Sequence, residues 1–136
     1  MGLYENILVT IDCSPVDTVI VEHVIKLAGI HKSTVHLLHI IHSHTLDENY
    51  SLEKKAKPEL DRIKKQFEDQ NIQTHIILKN GEPENEVVQA IREGDYDLVA
   101  MALHGHRHIF DILYGSVSDA VKHKTDVPIL LIKPEM

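Results

Sequence analysis

Apolar and polar positions along this chain switch between two periods, and the switching is regular from end to end. Ile7-Leu8-Val9-Thr10-Ile11 is a short, nearly continuous, β-branched apolar run, the composition of a strand buried on both faces. It ends at Asp12. Ser14 then offers an N-cap and Pro15 a favoured first helical position, and Val16, Ile20, Val24, Leu27 and Ala28 recur at helical spacing. Val35 to Ile41 repeats the buried-strand composition, and the polar stretch Ser43 to Asn49 reads as a turn. Leu52, Ala56, Leu60, Ile63 and Phe67 fall four, four, three and four residues apart among lysines and acids, which predicts an amphipathic helix that Pro58 bends or starts.

The same alternation continues to the end. Ile72 to Leu78 reads as a third strand closed by Asn80-Gly81, and Pro83 opens a helix carrying Val87, Val88 and Ile91. Gly94-Asp95 ends it, and Asp97 to Met101 is a fourth strand. Ser116 and Asp119 have capping-box spacing for a last helix through Val121, and Pro128 enters a final strand, Ile129 to Ile132. Five strands alternating with four helices predict an α/β fold: a doubly wound five-stranded parallel sheet with helices on both faces, in one domain over residues 1–136. In such sheets ligands bind beyond the carboxyl ends of the strands, where the strand order reverses. The ends of strands one and four, at Asp12 and at Ala102 to Gly105, are the expected walls of that crevice.

Composition narrows the class. At 136 residues, 43% hydrophobic and 26% charged, the chain resembles ordinary globular proteins. With 14 basic against 21 acidic residues the formal charge is -7, which repels nucleic-acid phosphates, so no nucleic-acid partner is expected. The lone Cys13 has no internal disulfide partner, Met1 to Asn6 carries no secretory pattern, and no apolar run approaches the ~20 residues of a membrane span. A cytoplasmic protein without a membrane segment is the expectation.

The candidate chemistry gathers after the fourth strand. Ala102-Leu103-His104-Gly105, nine further residues, then Gly115-Ser116 lead into the last helix. Glycines at a strand-to-helix junction let backbone N–H groups approach an anion, and the helix N-terminus favours negative charge. Without a ligand the same residues would serve as a tight turn and, at Ser116, an N-cap. No Ser-His-Asp order, paired acids or Gly-Lys-Ser/Thr phosphate loop accompanies them.

Three segments resemble the universal stress protein family, and the resemblance covers essentially the whole chain. Asn6 to Ser14 looks like that family's first strand and Asp-x-Ser turn, and Gly81-Glu82-Pro83 like its Gly-x-Pro helix entry. Met101 to Ser116 is similar to its nucleotide loop. The resemblance implies a Rossmann-like fold of the adenine nucleotide alpha hydrolase-like kind that binds ATP or another adenine nucleotide such as AMP, with or without Mg. It further implies that Asp12 and the backbone of Val9, Thr10 and Ile11 contact adenosine, and that Ile40 faces the base. Gly105, Gly115, Ser116, Val117 and Ser118 would hold the phosphates. Met101, Ala102 and His104 belong to the same loop, and Arg107 is its one cation. Two positions depart from the pattern. Ala102 replaces the first glycine, and His108 replaces a usually small residue. A positive φ at Ala102 would cost about 1–2 kcal/mol, roughly tenfold in affinity, whereas at negative φ only the added methyl matters.

Other readings stay open beside the nucleotide one. The eleven histidines cluster, and His42 and His44 with His104, His106 and His108 are candidate metal ligands, because imidazoles from two loops suit Zn, Ni or Cu. His36 and His39, inside a strand, are expected to be packed or hydrogen-bonded, and Cys13 inert. The Lys54-Lys55-Ala56-Lys57 run reads as a solvated helix face. By resemblance the protein performs at most slow ATP hydrolysis or self-phosphorylation on Ser116 or Ser118, and no catalytic residue is assigned. The expected role is a stress-response protein acting through unknown protein partners, with a dimeric interaction module lacking nucleotide as the alternative. The apolar last strand, Val127 to Ile132, expected at a sheet edge, would pair two copies into a homodimer, and Leu130 or Ile132 exchanged for Lys would break it.

Overall fold

In the computed structural model, residues 2–102 and 111–133 are described, 111–115 for the backbone alone. Among the described residues the order is β1 (Asn6–Thr10), α1 (Asp17–His31), β2 (Thr34–Ile41), α2 (Leu46–Glu68), β3 (Thr74–Asn80), α3 (Pro83–Glu93), β4 (Leu98–Ala102), α4 (Asp111–Lys124) and β5 (Ile129–Ile132). The five strands form one sheet in the order β3-β2-β1-β4-β5, and every neighbouring pair runs parallel. The expected α/β class is what forms.

Side-chain alternation along β1 explains the layering. Ile7 and Val9 are fully buried on one face with Ile20, Val24 and Ala28 of α1 and Leu60, Ile63 and Phe67 of α2. Leu8, fully buried on the other face, joins Val87, Val88 and Ile91 of α3 and Val121 of α4. Each such side chain contributes roughly 1.5–3 kcal/mol. The chain winds from β1 toward β3 over one face, then returns to β4 and β5 over the other. Strand order therefore reverses between β1 and β4, and their carboxyl ends flank the reversal. Far from that end, Asp97 Oδ2 accepts the N–H groups of Glu5 (2.9 Å) and Asn6 (2.8 Å), anchoring the start of β1.

Three element boundaries differ from the sequence expectation, each for a local reason. The Ser43 to Asn49 stretch is only partly a turn: Thr45 caps α2, its hydroxyl accepting the Glu48 N–H at 3.0 Å, while Glu48 Oε1 accepts the His44 N–H at 3.1 Å. This is a variant of the capping box. Pro58 consequently lies well inside a 23-residue helix and does not start it. Helix α1 begins at Asp17, with Val16 at the cap position and no side-chain cap bond, so Ser14 is not its cap. Helix α4 is described over Asp111–Lys124, which places Ser116 inside it and not at its N-cap. A single interior Gly115 costs only about 1 kcal/mol, too little to stop a helix. Strand β5 lies at the sheet edge, as expected. Among the described residues no helix is long and apolar enough to cross a membrane.

The amino-terminal end of the sheet holds a titratable cluster. His36 and its register partner His75 stack with ring centroids 5.3 Å apart, Tyr96 meets His36 edge-on at 5.1 Å, and His36 Nε2 donates to Asn6 Oδ1 at 3.1 Å. Burial first, and His75 second, push the His36 imidazole below its ordinary 6.5. Below pH 6.5 the unfolded chain therefore takes up a proton that folded His36 resists, so stability falls as pH drops through that value and is unaffected above it. In denaturant titrations at mildly alkaline pH and near pH 5.5, His36→Gln is expected to lose less stability on acidification than the unaltered protein. Equal losses would remove His36 as the cause.

Candidate functional site

The site begins where β1 runs out. The Ile11 N–H continues the ladder by donating to the Leu38 carbonyl at 2.8 Å. The chain then turns through Asp12, Cys13 and Ser14, with Cys13 at φ 62°, a left-handed conformation uncommon for a side-chain-bearing residue. Asp17 holds this turn. Only 4% exposed, it accepts the Asp12 N–H on Oδ1 (3.0 Å) and the Ser14 N–H on Oδ2 (3.1 Å). Burial raises the Asp17 carboxyl above its ordinary 3.8, against the pull of the backbone N–H groups of Asp12 and Ser14. Asp12, at the head of the turn, is exposed to solvent. The Ser14 hydroxyl is buried without a hydrogen-bond partner among the described residues.

Beside the turn opens a cleft of about 470 Å³, within the roughly 300–1,000 Å³ usual for small-molecule sites. Asp12 and Cys13 line one side, with His39, Ile40, Ile41 and His42 from the end of β2. Leu52, Lys55, Ala56 and Glu59 close it from α2, an i, i+3, i+4, i+7 set that shares one helix face. Capping at Thr45 starts α2 early enough to place Leu52 and Lys55 in regular helix. Arg62 hydrogen-bonds Glu59 and holds its carboxyl below the usual range, so it remains an anion. Burial, followed by the charges of Asp17, Glu59 and Asp12, pushes the Cys13 thiol up to about 12, leaving it unreactive at neutral pH. His42 pairs with Glu82 across 3.0 Å, tying the end of β2 to the entry of α3.

Of the sequence candidates, Asp12 and Ile40 from the nucleotide set and His42 from the metal set meet in this cleft. Val9, Ile11 and Met101 are buried in the core, Thr10 ends β1, and Ala102 ends β4 paired with Ile132. Ala102 is not among the positive-φ residues. Its departure from glycine thus carries no backbone strain, only a methyl group. Gly115 to Ser118 lie in α4, where Ser116 is half-buried, Ser118 buried and Val117 packed against the second core cluster. His104, Gly105, His106, Arg107 and His108 lie outside the described residues. His42 and His44 stand 5.2 Å apart, ring to ring. No group of three or more potential metal ligands occurs among the described residues. His36 and His39 are hydrogen-bonded, as expected. The sequence reading missed the wall from α2, whose signal was the Thr45-x-x-Glu48 cap together with the spacing of Leu52, Lys55 and Glu59.

Comparisons with known proteins agree with this architecture. The model of the Universal stress protein family matches residues 3–133. Universal stress protein MJ0577 of Methanocaldococcus jannaschii is 26% identical over 96% of each chain. Its solved structure superposes with a TM-score of 0.84 at 29% identity, covering 98% of this chain and 99% of the other. A universal stress protein in complex with cAMP has a TM-score of 0.71 at 17% identity, covering 95% and 96% of the two chains. One from Archaeoglobus fulgidus in complex with dAMP has a TM-score of 0.73 at 20% identity, covering 96% and 99%.

Because Asp17 satisfies two backbone donors at the cleft's edge, Asp17→Ala should lower unfolding stability by about 2–3 kcal/mol. Asp17→Asn, which keeps one acceptor, should lower it less. Equilibrium urea unfolding measures both, and an unchanged midpoint for the alanine variant would contradict this role.

Proposed function

The chain belongs to the universal stress protein family, and on that premise we propose that it binds an adenine nucleotide, ATP or AMP, and acts in stress responses through protein partners. The observation that carries this reading is the meeting of Asp12 and Ile40 in a cleft at the carboxyl ends of β1 and β2. Ile40 and Leu52 supply apolar walls for a base. The exposed carboxylate of Asp12 accepts the ribose hydroxyls, and the backbone of Val9 to Ile11 borders the adenosine. The phosphates extend toward Gly105, Gly115, Ser116, Val117 and Ser118, with His104 and Arg107 on the intervening loop and Mg as their counter-ion. The relatives in complex with cAMP and dAMP support an adenine ligand. The negative φ of Ala102 supports it too, because the missing glycine imposes no strain.

We also propose that two copies pair through β5. Its edge strand is apolar, and Leu131 is 37% exposed there. An uncovered apolar edge invites association. Leu130 and Ile132 pack against the first core cluster, so substituting them would disturb folding as well as assembly. Leu131 is the cleaner probe. Leu131→Lys should sediment as a monomer under conditions in which the unaltered protein is a dimer; a persisting dimer would refute this interface.

Calorimetric titration with AMP and with ATP, each with and without Mg²⁺, tests the nucleotide reading. The unaltered protein should bind, and Asp12→Ala should weaken binding by about ten- to a hundredfold through loss of charge-assisted hydrogen bonds. No binding at millimolar nucleotide would overturn the reading and favour an interaction module with an empty cleft.

A further inference from the structure

The same cleft contains a directional acceptor that the assignments above leave without a role. His39, in β2, borders the cleft, and its Nδ1 lies 2.7 Å from the carbonyl oxygen of Ile11. A carbonyl only accepts, so Nδ1 carries the ring hydrogen and the lone pair of the neutral imidazole sits on Nε2. The Ile11 carbonyl is itself positioned, because the Ile11 N–H is bonded to Leu38. Backbone, not ligand, therefore fixes the ring. Nδ1 being turned to Ile11, Nε2 is the ring nitrogen left to meet a ligand, and it has no hydrogen-bond partner among the described residues. Elsewhere in the lining, Ile40, Leu52 and Ala56 are apolar, Asp12 and the Arg62-bonded Glu59 are carboxylates, and Lys55 is a cation. The fixed lone pair on Nε2 suits a ligand that presents an N–H or O–H donor to it.

We propose that His39 selects the purine base, Nε2 accepting from the exocyclic amino group of a 6-aminopurine and disfavouring a 6-oxopurine. This inference rests on the nucleotide reading above. The carbonyl of a 6-oxopurine would face the Nε2 lone pair, leaving two acceptors opposed and unpaired in a desolvated site. Sites built to receive a ligand donor discriminate strongly against the analogue that lacks it.

The experiment titrates the protein with AMP and with inosine monophosphate at mildly alkaline pH, unaltered and as His39→Leu and His39→Gln. The unaltered protein should prefer AMP by roughly tenfold, the low end of the cost of an unpaired polar group. The preference should fall to within about twofold in His39→Leu and recover in part in His39→Gln, whose amide oxygen is again an acceptor. A merely structural role would weaken both nucleotides together and leave their ratio unchanged. An unchanged ratio in His39→Leu overturns the role of His39 and leaves nucleotide binding standing. Failure of the unaltered protein to bind either nucleotide overturns the nucleotide reading and this inference together. Independently of any variant, nitrogen-15 spectra of the unaltered protein should show the hydrogen on His39 Nδ1, with an Nε2 resonance that moves on adding AMP. A hydrogen on Nε2 would overturn the assignment.

Discussion

Burial of β1 on both faces is the constraint from which the rest of this molecule follows. Ile7, Leu8 and Val9 are consecutive and all completely buried, so their alternating side chains demand an apolar layer above and below. Helices α1 and α2 fill one layer, α3 and α4 the other. With strands hydrogen-bonded on both of its sides, β1 is also central within the sheet, and the chain must reverse its winding to reach β4. The reversal lies between the carboxyl ends of β1 and β4, and the cleft opens beside it, at the ends of β1 and β2 under the face of α2. That the cleft lies at the carboxyl end of the sheet is what this topology favours before any particular side chain is considered.

What the sequence adds there is a turn held from beneath. Asp17 accepts two backbone N–H groups from inside the protein, while Asp12 is exposed at the cleft. The left-handed backbone at Cys13 costs on the order of 1 kcal/mol and is kept because the turn is over-determined by Asp17 and by the ladder bond of Ile11. The thiol gains no reactivity from this position, since burial and three carboxylates disfavour its ionised form. What the site offers a ligand is carboxylate, imidazole and ammonium groups set among apolar walls.

Much of this was legible in the chain. The continuous β-branched runs at Ile7 to Ile11 and Val35 to Ile41 identified buried parallel strands, and the four-and-three spacing from Ala56 to Phe67 identified the core face of α2. Asp12 and Ile40, which family resemblance singles out, line one cleft. The start of α2 was obscured because its capping signal, Thr45 to Glu48, sits in a run of polar residues that also fits a turn. No pattern in the chain singles out Asp17, since its role depends on how residues 12–14 fold back over it and not on spacing. Ser116 carried the composition of a cap, yet α4 begins upstream of it, because one interior glycine is a weak barrier to helix propagation. The contribution of Lys55 and Glu59 depends on which face of α2 meets the end of the sheet. No local pattern encodes that registration.

The most direct test of the account is a residue-resolved map of nucleotide contact. Amide nitrogen–proton spectra recorded during titration with AMP should shift at Asp12, Cys13, His39, Ile40 and Ala56. Residues at the opposite end of the sheet, such as Asn6, Ser33 and Thr74, should stay in place. An unperturbed spectrum at saturating AMP, or shifts confined to that opposite end, would contradict the account.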